Sequence, residues 1–269
     1  MLLTNSTLKA ALLKRTTLNL ARAAFTSATT SASDSEAEAG ASIRPKIDPS
    51  RKQVTDFLKN TSLYEDQQRD TLQPYFFRSE RLPGYATDHG TDLYYRRSQY
   101  EEVNLEVHPS NFKTPFESVG MKLSSIGVGT YMGDPDDFTD YLMYDAIKTS
   151  VLSGGVNHID TAPNYRYKKS EKTVGRVLTT LDNKYGITRD QLFVTSKAGY
   201  LAEDAELMLS KNDELQRLIS EVKVPEEEIS KEQLHSMHPL VLKDQLEGSL
   251  KRLNLDTLDV FYLQNPYEA

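Results

Sequence analysis

Residues 156–197, VNHIDTAPNYRYKKSEKTVGRVLTTLDNKYGITRDQLFVTSK, decide how this chain is read. Val156 to Asp160 (VNHID), following Gly154-Gly155, reads as a short strand, and Leu192 to Lys197 (LFVTSK) as a second. Between them Val174, Val177, Leu178 and Leu181 recur at the three-to-four-residue spacing of one helical face. Strand, helix and strand in this order make a βαβ unit, whose strands run parallel and whose crossover is right-handed.

The unit repeats on both sides. Upstream, Leu123 to Thr130 (LSSIGVGT) reads as a strand ending in glycines; Leu142, Ala146, Ile147 and Val151 then form a helical stripe closed by Gly154-Gly155 as a C-terminal cap. Downstream, a charged segment, 201–238, precedes a third stripe, Leu242, Leu246, Leu250 and Leu253, and Leu258 to Gln264 (LDVFYLQ) is a fourth strand. These four strands and their helices occupy about half of the roughly 250 residues a (β/α)8 barrel takes. An open doubly wound sheet is the other arrangement available. Its dinucleotide fingerprint G-x-G-x-x-G is absent, because Gly127-Val128-Gly129 runs into Thr130-Tyr131-Met132. Periodicity alone leaves both open.

Composition narrows the chemistry. The chain has 269 residues and no cysteine, which excludes disulfide scaffolding, thiol catalysis, iron–sulfur clusters and cysteine-type zinc sites. A formal charge of −7 leaves no basic surface in bulk for nucleic-acid phosphates, so nucleic acid is not the expected partner. No apolar stretch approaches the roughly 18–20 residues that span a bilayer. Residues 1–33 carry Lys9, Lys14, Arg15 and Arg22 and no acidic residue, and are rich in Leu, Ala, Thr and Ser, the composition of a mitochondrial or plastid transit peptide. The low-complexity segment 26–42 reads as a linker holding the processing site. The expected organisation is therefore a leader and linker over 1–43, an irregular, Tyr-rich arm over 44–118 with one short helix around Gln53 to Tyr64, and the βα region over 119–269. A mitochondrial matrix location follows from the leader; a cytoplasmic one is the alternative.

Polar residues at the C-terminal ends of parallel strands are where α/β enzymes build their sites. Thr130, Asp160, Lys197 and Gln264 stand at or just past four successive strand ends, and Tyr165 lies in the loop after Asp160. Each alone has a plain reading: a loop cap, a solvated strand end, a packed ring with a wet hydroxyl. Together Tyr165, Lys197 and Asp160 make a proton-donating unit. A phenol of ordinary pKa about 10 gives up its proton reluctantly, a neighbouring ammonium stabilises the phenolate, and a carboxylate keeps that ammonium charged and oriented. The amide of Gln264 can hold a carbonyl oxygen as charge develops on it.

The segments SSIGVGTYMG, HIDTAPNYRYKKSEKTVG, VTSKAGY and LKRLNLDTLDVFYLQNP, in this order and spacing, closely resemble the first half of an aldo-keto reductase. The resemblance covers residues 120–269 and implies the (β/α)8 barrel, here its first four strands. It further implies reduction of a small-molecule carbonyl with NADPH, Tyr165 as proton donor, Lys197 and Asp160 as its tuning pair, and Gly129, Thr130 and Tyr131 near the nicotinamide and substrate. Two departures stand out. Gln264 replaces the family's usual histidine on the fourth strand, and glutamine can hydrogen-bond a carbonyl but cannot exchange protons. The cofactor-binding loops that the family draws from later strands are not in this sequence. The competing expectation is thus a catalytically inactive half barrel acting as an interaction protein, whose open strand edge after Gln264 pairs with a second copy or a partner chain.

Three smaller features read as structural. His235-Ser-Met-His238 has a metal-like spacing, but without a further His or Cys nearby it reads as the loop into the third helix. Glu226 to Glu228 reads as a solvated face, and Lys168, Lys169 and Lys172 read as surface charges.

The leader reading predicts that residues 1–33 fused to a fluorescent reporter carry it into mitochondria, and that replacing Lys9, Lys14, Arg15 and Arg22 with Glu leaves it in the cytosol. A native leader that leaves the reporter diffuse contradicts the reading.

Overall fold

The computed structural model describes residues 81–99, 107–115 and 117–268; the leader, the linker and the helix expected around Gln53 to Tyr64 lie outside them. The order of elements is α1 (Asp88–Ser98), β1 (Phe112–Lys113), β2 (Leu123–Ser124), β3 (Val128–Gly129), α2 (Asp137–Leu152), β4 (His158–Asp160), α3 (Lys169–Tyr185), β5 (Phe193–Ala198), α4 (Lys211–Arg217), α5 (Pro239–Leu253) and β6 (Val260–Leu263). Strands β3, β4, β5 and β6 are neighbours in that order and all pair in parallel. With helices α2, α3 and α5 between them, this is the α/β architecture of half a (β/α)8 barrel.

Alternation along the strands sorts the two faces. Ile159 and Val194 point outward and are fully buried beneath Ile147 and Val151 of α2, Val174, Val177, Leu178 and Leu181 of α3, and Leu253 of α5. Burying one such aliphatic side chain stabilises the fold by about 1.5–3 kcal/mol, so this sheet-to-helix layer is the principal core. His158, Asp160, Thr195 and Lys197 share the opposite, inner face. The lowest inner layer is apolar: Phe193 clusters with Ala86 and Leu123, and its ring meets His158 edge-on at 5.4 Å.

Several elements sit differently from their sequence pattern. LSSIGVGT is not one strand: Leu123–Ser124 pairs antiparallel with Phe112–Lys113, and only Val128–Gly129 enters the parallel sheet. Ser124 and Asn157 exchange hydrogen bonds at 2.8 and 3.1 Å, and Gly127 passes so close to His158 that an added Cβ would lie 3.1 Å from Nδ1. Those contacts bend the chain between the two pieces. In α2 the buried face runs through Asp140, Tyr144, Ile147 and Val151, leaving Ala146 exposed, because the larger Tyr144 turns inward and donates to Thr180 Oγ1 at 3.0 Å. In α5 the inner face is Val241, Gln245, Ser249 and Leu253, with Leu242, Leu246 and Leu250 half-buried on its flank. Gln245 faces in because its amide joins the end of β5, accepting from Gly199 N at 2.8 Å and donating to Tyr200 O at 3.0 Å.

The arm expected to be irregular contributes α1, capped by Thr87, whose side chain accepts from Gly90 N. Its Tyr94 is buried in the main core and donates toward Val151 O and Val156 O at 2.6 and 2.7 Å. Burial pushes that phenol far above its ordinary range. Gly90 packs against Asp190, where a Cβ would lie 2.2 Å from the carbonyl oxygen. Val156 and Asp190 both precede strands, so α1 covers the N-terminal end of the sheet. There Arg189 and Asp259, 3% and 4% exposed, pair at 2.8 Å, and Asp259 also accepts from Ala86 N and Val194 N, each at 2.6 Å. The far edge of β6 carries half-exposed Tyr262 and Leu263. Among the described residues no helix is long and apolar enough to cross a membrane.

Removing one partner of a buried pair leaves an uncompensated charge. Asp259→Ala is therefore expected to lower unfolding free energy by about 3–5 kcal/mol, read from the urea midpoint. A loss near zero would show that Arg189 finds another partner.

Candidate active site

The C-terminal ends of β3, β4 and β5 bring three expected residues into one cluster. Asp160 closes β4 and pairs in register with Gly129 on one side and Thr195 on the other. Lys197, two residues beyond Thr195 on the same face, reaches back across the strands. Its ammonium donates to Asp160 Oδ1 and Oδ2 at 2.8 and 2.7 Å and to Thr161 O at 2.9 Å. Thr195 Oγ1 donates to Asp160 Oδ1 at 2.6 Å from below. The same ammonium lies 4.7 Å from the centre of the Tyr165 ring. Tyr131 meets that ring edge-on at 5.1 Å, so the phenol is held between a cation and a second aromatic ring.

The remaining expected residues have distinct places. Thr130 is fully buried; its hydroxyl is shared with Asp160 O and Thr161 Oγ1, and its carbonyl accepts from Ser170 Oγ at 2.7 Å. Its side chain thus braces the wall between β3 and β4. Gly129 faces open space, since an added Cβ would meet nothing within 4 Å, and Tyr131 beside it is 66% exposed. The wall beside the phenol is thus open. Gln264 stands one strand over. Its N–H donates to Ala198 O at 2.8 Å and its carbonyl accepts from His235 Nε2 at 2.7 Å, and it makes no hydrogen bond to Tyr165 or Lys197.

His235 therefore serves to fix the end of β6, and His238 caps α5, its Nδ1 accepting from Leu240 N at 3.3 Å. The Glu226 to Glu228 segment is exposed as expected. The lysines are not surface charges. Lys169 is buried on Asp140 and Asp137, which outweigh the opposing effect of burial and hold its ammonium above the usual range. Lys168 is 12% exposed, and burial pulls it down despite Glu214 and Asp204. Lys172 is 17% exposed and bonds Glu206 at 2.6 Å. The acidic partners of Lys168 and Lys172 belong to the charged segment 201–238, which builds its own small core from Leu201, Leu215, Leu218, Val224 and Ile229 with Val241 of α5. Ala205 N donates to Tyr167 O at 3.3 Å, so this segment rests on the loop that carries Tyr165.

Sequence reasoning missed Thr195, Arg166 and Asp140. The available signal for the first was its position two residues before Lys197, on the same strand face; nothing local marks the other two. The structure also separates two neighbouring tyrosines. At Tyr167, burial and the Glu203 carboxylate push the phenol up, away from proton donation. Only Tyr165 of the two has the Lys197 ammonium against it.

A parallel βα sheet with a tyrosine, a lysine and a carboxylate joined at its C-terminal mouth defines a candidate oxidoreductase of the barrel class. The sequence model of the Aldo/keto reductase family matches residues 125–269, and the chain belongs to that family. The chain is 27% identical over 155 residues to the NADH-specific methylglyoxal reductase of Escherichia coli, covering 55% of this chain and 40% of that protein. It is 28% identical over 159 residues to the aldo-keto reductase YhdN of Bacillus subtilis, covering 57% and 38%. It thus spans about two fifths of the curated relatives it matches. Among solved structures, a glycerol dehydrogenase of Gluconobacter oxydans aligns with a TM-score of 0.34 at 24% identity, over 56% of this chain and 38% of that one.

His158, beneath Asp160, supplies a pH test. Burial, with Nε2 unpartnered, holds its imidazole below the usual histidine range; Asp160 and Asp259 oppose this and Lys197 adds to it. The unfolded chain binds the proton near pH 6.5 and the folded one only at lower pH, so stability is full above about 6.5 and falls as pH drops through that value. Denaturant titrations at pH 7.5 and 5 are expected to show this fall, and His158→Gln to reduce it. An equal fall in the variant would assign it to other groups.

Proposed function

We propose that the protein reduces a small-molecule carbonyl to an alcohol, with hydride from a nicotinamide dinucleotide and a proton from the Tyr165 hydroxyl. The observation that carries this reading is the Lys197 ammonium, seated 4.7 Å from the Tyr165 ring centre and chelated by both oxygens of Asp160. When bound, the dinucleotide supplies the hydride to the carbonyl carbon. Tyr165 then gives its proton to the oxygen that has taken up the electron pair. Lys197 stabilises the phenolate left behind, and Asp160 with Thr195 keeps that ammonium in place and aimed. Gly129 and Tyr131 offer the open wall for the nicotinamide, and the Gln264 amide orients the carbonyl without taking part in proton exchange.

NADPH is the cofactor we propose, on the family resemblance; the name of the E. coli relative specifies NADH for that protein, so both are to be assayed. The alternative of a non-catalytic half barrel stands on the exposed edge of β6 alone, and it leaves the assembled Tyr165, Lys197 and Asp160 cluster without a role. The matrix location rests on the composition of residues 1–33.

Tyr165→Phe in the complete protein removes the donated proton and leaves the cofactor wall intact. It is expected to lower kcat by roughly 10²–10⁴-fold while cofactor affinity stays within about twofold. Retention of more than about a tenth of wild-type turnover, a loss below roughly 1.4 kcal/mol, would show that another group donates.

A further inference from the structure

Immediately after Tyr165 the backbone passes through three consecutive left-handed residues, Arg166, Tyr167 and Lys168, at φ 48°, 54° and 68°. None is glycine, and for residues with a Cβ this region crowds the side chain against the following carbonyl. Such a run persists only where the surroundings over-determine it. Here the second residue is held by Ala205 N on its carbonyl, and the third donates its N–H to Pro163 O at 3.0 Å.

The first is held by its own side chain. The guanidinium of Arg166 is 1% exposed and bonds the Asp140 carboxylate, itself 8% exposed. Its Nε donates to Asp134 O at 3.0 Å and its Nη2 to Asp136 O at 3.3 Å. These acceptors lie in the loop after β3 and the first turn of α2. That loop carries Tyr131, whose ring meets Tyr165. Asp140 also takes Lys169 Nζ at 2.7 Å and Thr173 Oγ1 at 3.2 Å, which extends the clamp into the start of α3. One side chain thus joins the two loops from which both aromatic rings of the site project.

We propose that Arg166 is a positioning residue: its guanidinium fixes the Tyr165 hydroxyl relative to Lys197 and holds the Tyr131 loop against it. Glycine at 166 would turn the chain without crowding but could not bridge the loops, and lysine presents one point charge where the site asks for a fork serving three acceptors. The proposal rests on the reading of Tyr165 as proton donor for its kinetic consequence, though not for its structural one.

The test compares Arg166→Gly, Arg166→Lys and Tyr165→Phe in the complete protein. Arg166→Gly relieves the left-handed crowding but leaves the buried Asp140 with Lys169 as its remaining cation, so its Tm is expected to fall, and kcat is compared well below the Tm of both proteins. Its kcat is expected to fall about ten- to hundredfold with cofactor Kd unchanged, and millimolar guanidinium ion to restore part of it. Arg166→Lys stays low in kcat. Amide hydrogen exchange in 131–137 and 164–168 rises together in both Arg166 variants. Unchanged kcat and exchange in Arg166→Gly overturn the proposal, and so does a kcat loss that ignores guanidinium. If Tyr165→Phe retains wild-type kcat, the donor reading fails, and joint exchange of the two segments still decides whether Arg166 clamps them. Should Arg166→Gly not fold, Asp140→Asn, which keeps the acceptor's shape and removes its charge, is judged by the same readouts.

Discussion

The Lys197 ammonium, gripped by both carboxylate oxygens of Asp160 across neighbouring parallel strands, is the contact on which the site's geometry depends. Its side chains are 15% and 31% exposed, so the pair is only partly withdrawn from water. Its construction also draws in Thr195 from below and the Thr161 carbonyl from the side. What the pair holds in place is a cation against the Tyr165 ring. The opposite end of the sheet shows the contrast. There Arg189 and Asp259 are almost wholly buried and tie β5, β6 and the α1 arm together through backbone bonds. One charge pair builds the candidate site at the strand C-termini, and the other ties the fold together at the strand N-termini.

Much of this was legible in the sequence because strand ends and helical stripes are local signals. The VNHID, LFVTSK and LDVFYLQ runs mark three of the four parallel strands, and the polar residues that close the first two, Asp160 and Lys197, meet, while Gln264 at the end of the third stands apart. Rotations of helices about their axes were not legible. Tyr144 displaces Ala146 from the core of α2 and Gln245 displaces the leucine stripe of α5, because a long side chain with a buried hydrogen-bond partner outweighs a small or flank-facing apolar one. Helix α1 was hidden for a related reason: its sequence, DHGTDLYYRRS, is polar overall, and its docking depends on Tyr94 and on the bare Gly90 meeting residues far along the chain.

The turn after Tyr165 was the least legible feature. Left-handed backbone is usually announced by glycine, and NYRYKKS contains none. Lysines written in such a run look like solvated charges, yet Lys168 and Lys169 are drawn inward by carboxylates from α2 and from the 201–238 segment. The conformation is a tertiary product of Asp140, Asp204 and Glu214, residues separated from the turn by tens of positions.

The central claim is that Asp160 and Lys197 act on Tyr165 as one unit. A double-mutant cycle on kcat for carbonyl reduction, using Asp160→Asn, Lys197→Met and the double variant of the complete protein, tests it most directly. If Asp160 works only by aiming the Lys197 ammonium, the double variant is no slower than Lys197→Met alone. Losses that multiply, with the double variant slower by the product of the two single effects, would show that the two residues contribute independently and would contradict the account.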